Sequence, residues 1–369
     1  MSEIPTQRRN VVREWLHIPT PAPAEDYGFF GPDSVTWKVW SYPTSLSIGF
    51  QRAVVIEELD PGLVAAVDKT HDIYKRPRTR YDRTLRYFAM VAFDGSAATA
   101  KAADVLVKVH SKAIGEDPVT GRHYDANDPD SQLWIHLTAW HSILKAYETF
   151  GPGRLSEAEE RQYWAECAVA AELQTCDPAD VPRTRAGIQA YFEQMRPQLL
   201  GSDIARQAMN HLLRAEVMLP PMPRVLRPAT LVATAMIRRG TLATMPVWMR
   251  EMSGLYNRPV VEKALDRAVT LPLKVSYRVL AMNTRLQLLL LKLLSPNTVE
   301  VAGRALLGIA PLDPATTTPQ EAQTRLGFDT PRDAHRELRA KQHARVFGQG
   351  IAPSDEGLVE SQPILGAVR

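Results

Sequence analysis

Arg80, Arg83, Thr84 and His110 are the residues of this chain whose types and spacing could do chemistry. Arg80 and Thr84 stand four apart, on one face of a helix, with Arg83 beside them. His110 falls four residues after Leu106 and four before Ile114, in an apolar stripe, so its imidazole should point inward. Guanidinium forks donate paired hydrogen bonds to carboxylates. A neutral imidazole nitrogen is a good iron ligand. Such a set would suit an anionic, planar, metal-bearing ligand such as haem. It would equally describe a solvated basic face, with Arg76, Arg78 and Arg86 nearby, beside a core histidine bonded to a backbone carbonyl. On spacing alone the second reading is the commoner outcome.

Two consecutive helices must carry these residues. One runs from about Arg80 to Phe93. After the turn Phe93-Asp94-Gly95-Ser96 the next runs from Ala97 to Ile114, with Lys101, Asp104, Lys108 and Lys112 on its polar side. Upstream, Asp33-Ser34 caps a helix through Trp37 and Trp40, an apolar stretch covers Leu46 to Ile56, and Asp60-Pro61-Gly62 opens a third segment. Its stripe reads Leu63, Val64, Val67, His71 and Tyr74. Downstream, residues 115–127 form a polar loop, and Asp128-Pro129 caps a long Trp-rich helix to Phe150. A capping box at Ser156 to Glu159 opens a helix reaching Cys176. Further helices are expected up to Met218, where Leu219-Pro220-Pro221-Met222-Pro223 makes the clearest break. Beyond it lie Ala229–Arg239, Pro246–Leu255, Val260–Leu271, Ser276–Leu294 and Thr298–Leu307, then a polar tail with one charged helix, Arg332–Val346. No period-2 alternation is sustained, so the fold class is all-α. The domain reading is an N-terminal arm over 1–26, with a short helix at Val11–His17; a helical domain over 27–230; a C-terminal helical extension over 231–312; and a partly mobile polar tail over 313–369.

The remaining candidates are fewer. His136 and His141 share the Trp-rich helix and point about 140° apart, so at most one faces His110; His136 is assigned to the cofactor-binding set. His335 and His343 fall in the charged tail and should face solvent. There is no Gly-rich phosphate loop, no GxSxG, no HExxH and no CxxC, and no pair of carboxylates stands out. With 44 basic against 41 acidic residues, the chain has no basic excess of the kind nucleic-acid binding requires. Cys167 and Cys176 are too few for a disulfide framework or a thiolate metal site and read as reduced structural thiols. The Arg8-Arg9 pair is followed by no apolar h-region, so no export signal is read and a cytoplasmic location is expected. No run of 18 apolar residues is present, so no membrane span is expected. The basic, Leu-rich segment 224–294 is where a peripheral membrane contact would form.

One ordered series of residues carries a resemblance. It begins Gly31-Pro32-Asp33-Ser34-Val35-Thr36-Trp37 and continues with Arg80-xx-Arg83-Thr84 and Val109-His110. Tyr124-xx-Asn127-Asp128-Pro129-xxx-Leu133-Trp134-Ile135-His136 comes next, then Ala146 to Gly151 and Asp180-Val181-Pro182-Arg183-Thr184. In this order, over roughly residues 27–230, the chain resembles the catalytic domain of the rubber oxygenase (latex-clearing protein) and MpaB-type oxygenase family. The resemblance implies an all-helical fold around one haem b, with which the rubber-cleaving members cleave carbon–carbon double bonds of isoprenoid chains using dioxygen. It makes His110 the proximal iron ligand and Arg80 and Thr84 the distal-side pair. Arg83 stands where the rubber-cleaving members have a lysine that can cap the iron. An arginine stays protonated and is a very poor ligand, so the distal side should be open or water-bound. The family's glutamate, one helix upstream, also has no match: residues 61–66 hold no carboxylate, and Glu57, Glu58 and Asp68 only flank them.

The expectation is therefore a cytoplasmic, haem b-dependent oxygenase acting on an apolar alkene. Arg80, Arg83 and Thr84 are the catalytic candidates; His110, Arg80, Thr84 and His136 the cofactor-binding ones; and His110 the metal ligand. Its partners would be a small apolar substrate and O2, not nucleic acid. The rival is a non-catalytic helical protein that holds haem or another apolar ligand on the same fold.

Overall fold

Short polar side chains set the helix starts in the computed structural model, which describes residues 17–353. The arm helix expected over 11–17 lies outside them but for its last residue. Ser34 accepts a hydrogen bond from the amide of Trp37 and opens α1, Val35–Trp40. A π-helical turn, Ser45–Gly49, runs directly into α2, Phe50–Glu57. Asp60 accepts from the Leu63 amide at 2.7 Å and opens α3, Pro61–Thr70. One helical turn, α4 (Asp72–Lys75), leads to α5, Pro77–Phe93, and then to α6, Ser96–His110. Asp128 caps the 22-residue α7, Pro129–Phe150, and the Ser156–Glu159 capping box opens α8, Glu157–Ala171. Helices α9 (Arg185–Met195) and α10 (Asp203–Leu212) follow, and a 3-10 turn, Ala215–Met218, closes this part.

The C-terminal part holds α11 (Arg227–Thr244), α12 (Val247–Met252), α13 (Pro259–Ala281), α14 (Thr284–Leu294), α15 (Val299–Leu307), α16 (Pro319–Leu326) and α17 (Pro331–His343). Among the described residues the β structure is one small antiparallel hairpin, β1 (Ile114–Glu116) with β2 (His123–Asp125), pairing Gly115 with Tyr124. The fold is thus all-α, as expected, although the hairpin stands where a plain loop was read.

Helix α7 is the axis of the core. It is apolar on most of its circumference, with Trp134, Leu137, Trp140, Ile143, Tyr147 and Phe150 all buried, as a helix surrounded by others must be. Trp140 meets Trp40 edge-on at 5.3 Å and Tyr163 at 5.1 Å. Gly49 lets the π turn and α2 lie against α7: a Cβ there would sit 3.1 Å from the Ile143 Cα. Gly240 similarly seats α11, since a Cβ would come within 2.6 Å of both Ile48 and Leu273 side chains.

Four local expectations change. Pro272 lies inside α13 and does not end it, because the break falls at Met282-Asn283, where Asn283 caps α14. Helix α8 stops at Ala171, so Cys167 and Cys176 do not share a helix; both are buried and free. His71 leaves the apolar stripe of α3 and ends the helix in the left-handed region, at φ 54°. His335 is buried, because α17 packs on α6 and turns its inner face toward Asp125 of the hairpin.

Candidate active site

Helices α2, α3, α5 and α6 enclose a cavity of about 370 Å³. Arg80, Arg83, Thr84 and His110 all line it. The two consecutive helices read from the sequence are thus packed so that their chemical residues share one space.

Each helix is held by specific bonds. The N-terminus of α6 is fixed by Asp26, whose Oδ1 accepts from the Ser96 amide at 2.6 Å. At the other end, the Asn127 side chain donates to the Val107 carbonyl at 2.7 Å, which also accepts from the Ser111 amide. His110 therefore sits on a turn closed from outside. Helix α5 is clamped through buried Asp82, which accepts from Ser295 and, at 2.5 Å, from the Asn297 side-chain amide. The Thr84 hydroxyl donates to the Arg80 carbonyl at 3.0 Å, within the turn that presents both arginines.

Burial lowers the proton affinity of His110, with nearby Arg80 adding to the effect, and brings its pKa to about 4. The ring is neutral at pH 7, the form that can bind a metal. Gln132 reaches its Nδ1 at 3.4 Å while donating to the Ala126 carbonyl. His136 is not brought to the cavity. It is buried beside Cys167, whose carbonyl lies 2.7 Å from its Nε2. Burial lowers its pKa to about 4 as well. His141 packs at a tilt against Phe192 and faces Arg52, also away from the cavity.

Sequence reasoning found no carboxylate for the site; the fold supplies three, of which Asp125 is already engaged by the Asn127 amide and Arg339. Glu57 and Glu58, at the end of α2, line the cavity with Arg80. Burial raises Glu57 to about 8, and Glu58 beside it adds to the rise, while Arg80 and the Thr138 hydroxyl pull the other way. Glu58 is raised to about 7, again mainly by burial, with Arg80 opposing and Asp68 adding. Its Oε2 is buried and accepts no hydrogen bond from the described residues. The signal was present as two adjacent carboxylates closing the apolar run Val54-Val55-Ile56. They stand before α3, and only the packing of the end of α2 against α5 brings them to the cavity.

The family model described as ER-bound oxygenase mpaB/B'/Rubber oxygenase, catalytic domain, matches residues 37–272. The chain belongs to this family. It is thereby an oxygenase, an oxidoreductase that uses a small-molecule substrate and O2. The family match runs past the break at residue 219 and takes in α11, α12 and half of α13. Among solved structures the chain is similar to one titled "Structure of Latex Clearing Protein LCP in the closed state", at 18% identity over 86% of this chain and 83% of that one, with a TM-score of 0.44. No curated protein sequence matches it. Among the described residues no helix is long and apolar enough to cross a membrane, and no group of three or more His, Cys, Asp or Glu could hold a metal.

Proposed function

We propose that this member of the rubber-oxygenase family is a haem b-dependent oxygenase acting on a double bond of an apolar, isoprenoid or lipid-like molecule. Its site is the cavity of Glu57, Glu58, Arg80, Arg83, Thr84 and His110. The observation that carries the reading is the convergence of that donor set on one space. The set fits an iron porphyrin. His110 offers a neutral imidazole on the cavity wall, with Nδ1 facing Gln132, so that Nε2 is the nitrogen for iron. Arg76, Arg80 and Arg83 offer guanidinium groups to two propionates. When bound, haem supplies the dioxygen-activating redox chemistry.

The chain's own residues do the rest. Thr84 fixes the turn that presents the arginines. Val54, Leu63, Val67 and Ile135 give the cavity apolar walls that exclude water and accept an alkene. Glu58 holds a proton up to about pH 7. Once ionised, its unbonded Oε2 is placed to accept a proton from substrate, with Glu57 as the neighbouring reservoir. Arg83 in place of a lysine favours the rival, a non-catalytic haem or apolar-ligand carrier. The carboxyl pair weighs against it, because a carrier gains nothing from two buried acids. Purified protein supplied with haem should show a Soret band that is lost in His110→Ala, and should oxidise isoprenoid alkenes only when O2 is present. No band, or a band indifferent to His110→Ala, would end the haem assignment. Haem binding with no product would leave the carrier.

Two readings of setting go with this proposal. Cys167 and Cys176, both free and buried, suit a reducing cytoplasmic compartment. The outer face of α13 suits an anionic membrane surface: Val261, Leu265, Val275 and Val279 are exposed there among Lys263, Arg267, Lys274 and Arg278. Its acids, Glu262 and Asp266, are taken up by Arg239 and Arg250. Co-sedimentation with vesicles containing phosphatidylserine, lost in high salt, is the expected result; no sedimentation would remove the contact.

A further inference from the structure

A second cavity, of about 320 Å³, lies beside the first. The π turn, α2 and α5 wall one side, and α11, α13, α14 and the 3-10 turn wall the other. Tyr81 and Met218 line both cavities and stand as the partition between them. The Tyr81 hydroxyl donates to the Leu46 carbonyl at 2.8 Å and its ring meets Phe50 edge-on at 4.9 Å, so it is a fixed post. Met218 is unbranched and flexible, and is the part of the partition that can turn aside.

The two spaces differ in chemistry. The first is lined by carboxyls, guanidinium groups and an imidazole. The second has no charged side chain in its wall, and each of its six polar residues is already engaged within the protein. Tyr277 and Ser47 share a hydrogen bond at 2.8 Å, Thr230 donates to Leu226 and Thr234 to Thr230. Gln51 donates to the Leu212 carbonyl at 3.0 Å and accepts from Thr241 at 2.7 Å, and Tyr81 is held as described. What faces the space is methyl, methylene and aromatic surface, chiefly from Met222, Ile237, Leu290, Leu293 and Leu294. A polar or charged ligand would find no partner there and would lose its hydration.

We infer that this second cavity receives the uncharged hydrocarbon chain of the substrate while its reacting end lies in the first, with Met218 as the movable divider. The occupant is a linear apolar molecule longer than the first cavity holds, such as an isoprenoid chain of several units. The inference rests on the oxygenase reading for which end reacts. Chain binding itself requires neither haem nor turnover. The wall of the chain cavity includes Tyr277, Leu290, Leu293 and Leu294, which lie beyond the stretch matched by the family model.

The test is binding of geraniol, farnesol and geranylgeraniol to the full-length protein, read by displacement of N-phenyl-1-naphthylamine. Affinity should rise at least about tenfold with each added isoprene unit that enters an apolar wall. Ala233→Trp puts an indole into the chain cavity from a helix surface position that tolerates bulk. It should abolish the rise with chain length and leave geraniol binding unchanged. Glu57→Gln should keep the rise. Equal affinity for all three alcohols in the wild type would overturn the inference. So would an Ala233→Trp protein with wild-type circular dichroism whose affinities rise with length as before. Failure of the haem assignment would show instead as no Soret band with the length dependence intact.

Discussion

His110 and His136 occupy two regions of the core that look alike by the usual measures and differ in one respect. Both lie on long helices, and burial lowers both to about 4. His136 packs its ring against Trp140 at 5.8 Å and meets the Cys167 carbonyl, so that region is filled. His110 faces a cavity shared with Arg80 and Thr84. Burial and a depressed pKa are thus common to a packing histidine and a ligand candidate. Unfilled space beside the ring, with complementary charge across it, separates them. The pair can be broken by substitution. His110→Ala should lose all haem absorption and leave the melting temperature nearly unchanged, because the ring already borders a void. His136→Ala should keep the Soret band and lose about 2 kcal/mol of stability by denaturant titration, from a cavity and the lost hydrogen bond to the Cys167 carbonyl. The reverse pattern would exchange their roles.

The carboxyls sharpen the contrast through pH. Glu57 and Glu58 have folded-state values raised to about 8 and about 7, above the ordinary 4.5, so their contribution is full below that value and is lost as pH rises through 7 and 8. The two histidines are lowered from 6.5, so theirs is full above 6.5 and is lost as pH falls through about 4. Stability should therefore peak in mildly acidic to neutral solution. Glu57→Gln should flatten the alkaline limb and leave the acid limb alone, with a change of a few kcal/mol at pH 9. His136→Gln should do the opposite. Melting curves from pH 4 to pH 9 would decide. An alkaline limb unaltered in both Glu57→Gln and Glu58→Gln would mean that neither acid is buried as described.

Much of the fold was legible because local signals and tertiary packing agree. Ser34, Asp60, Asp128 and Ser156 each stand at the cap that their type and spacing announce. The turn between Arg80 and His110 was legible as well, and with it the helices that carry the site. Legibility failed where a tertiary contact decides. Pro272 reads as a helix end, yet Val269, Leu273 and Tyr277 bury one continuous face across it, which outweighs one lost hydrogen bond. His335 lies in a charged stretch, and only the docking of α17 hides it. The carboxyl pair was missed for the same reason: adjacency in sequence cannot say that the end of α2 meets α5. The second cavity was beyond reach, since its two walls lie more than a hundred residues apart in the chain.

A smaller effect tests how far the site helix depends on the C-terminal part. Asp82 is buried and takes donors from Ser295 and Asn297, with Thr298 at the limit of bonding distance. Asp82→Ala should leave those donors unpaired and cost about 1–3 kcal/mol. It should also weaken haem binding modestly, because Arg80 and Arg83 ride on the same helix. Asp82→Asn should recover part of both. Loss of stability with haem affinity untouched would show that the clamp serves the fold alone.

A third histidine gives the smallest effect and completes the comparison. His71 is exposed, takes φ 54° at the end of α3, and has Asp68 at 3.7 Å from its Nδ1. It neither lines the cavity nor fills the core. A side chain in the left-handed region costs about 1–2 kcal/mol against its Cβ, and glycine removes that cost. Glycine also gives the unfolded chain more freedom to lose, worth about 0.5–1 kcal/mol in the opposite direction. The exposed pair with Asp68 adds little to either side. His71→Gly should therefore stabilise by roughly 0.5 kcal/mol, seen as a small upward shift in the denaturant midpoint with no change in slope, and should leave haem and chain binding as in the wild type. A clear destabilisation would mean that the imidazole makes a contact that its exposure conceals, and that this histidine too belongs to the working part of the molecule.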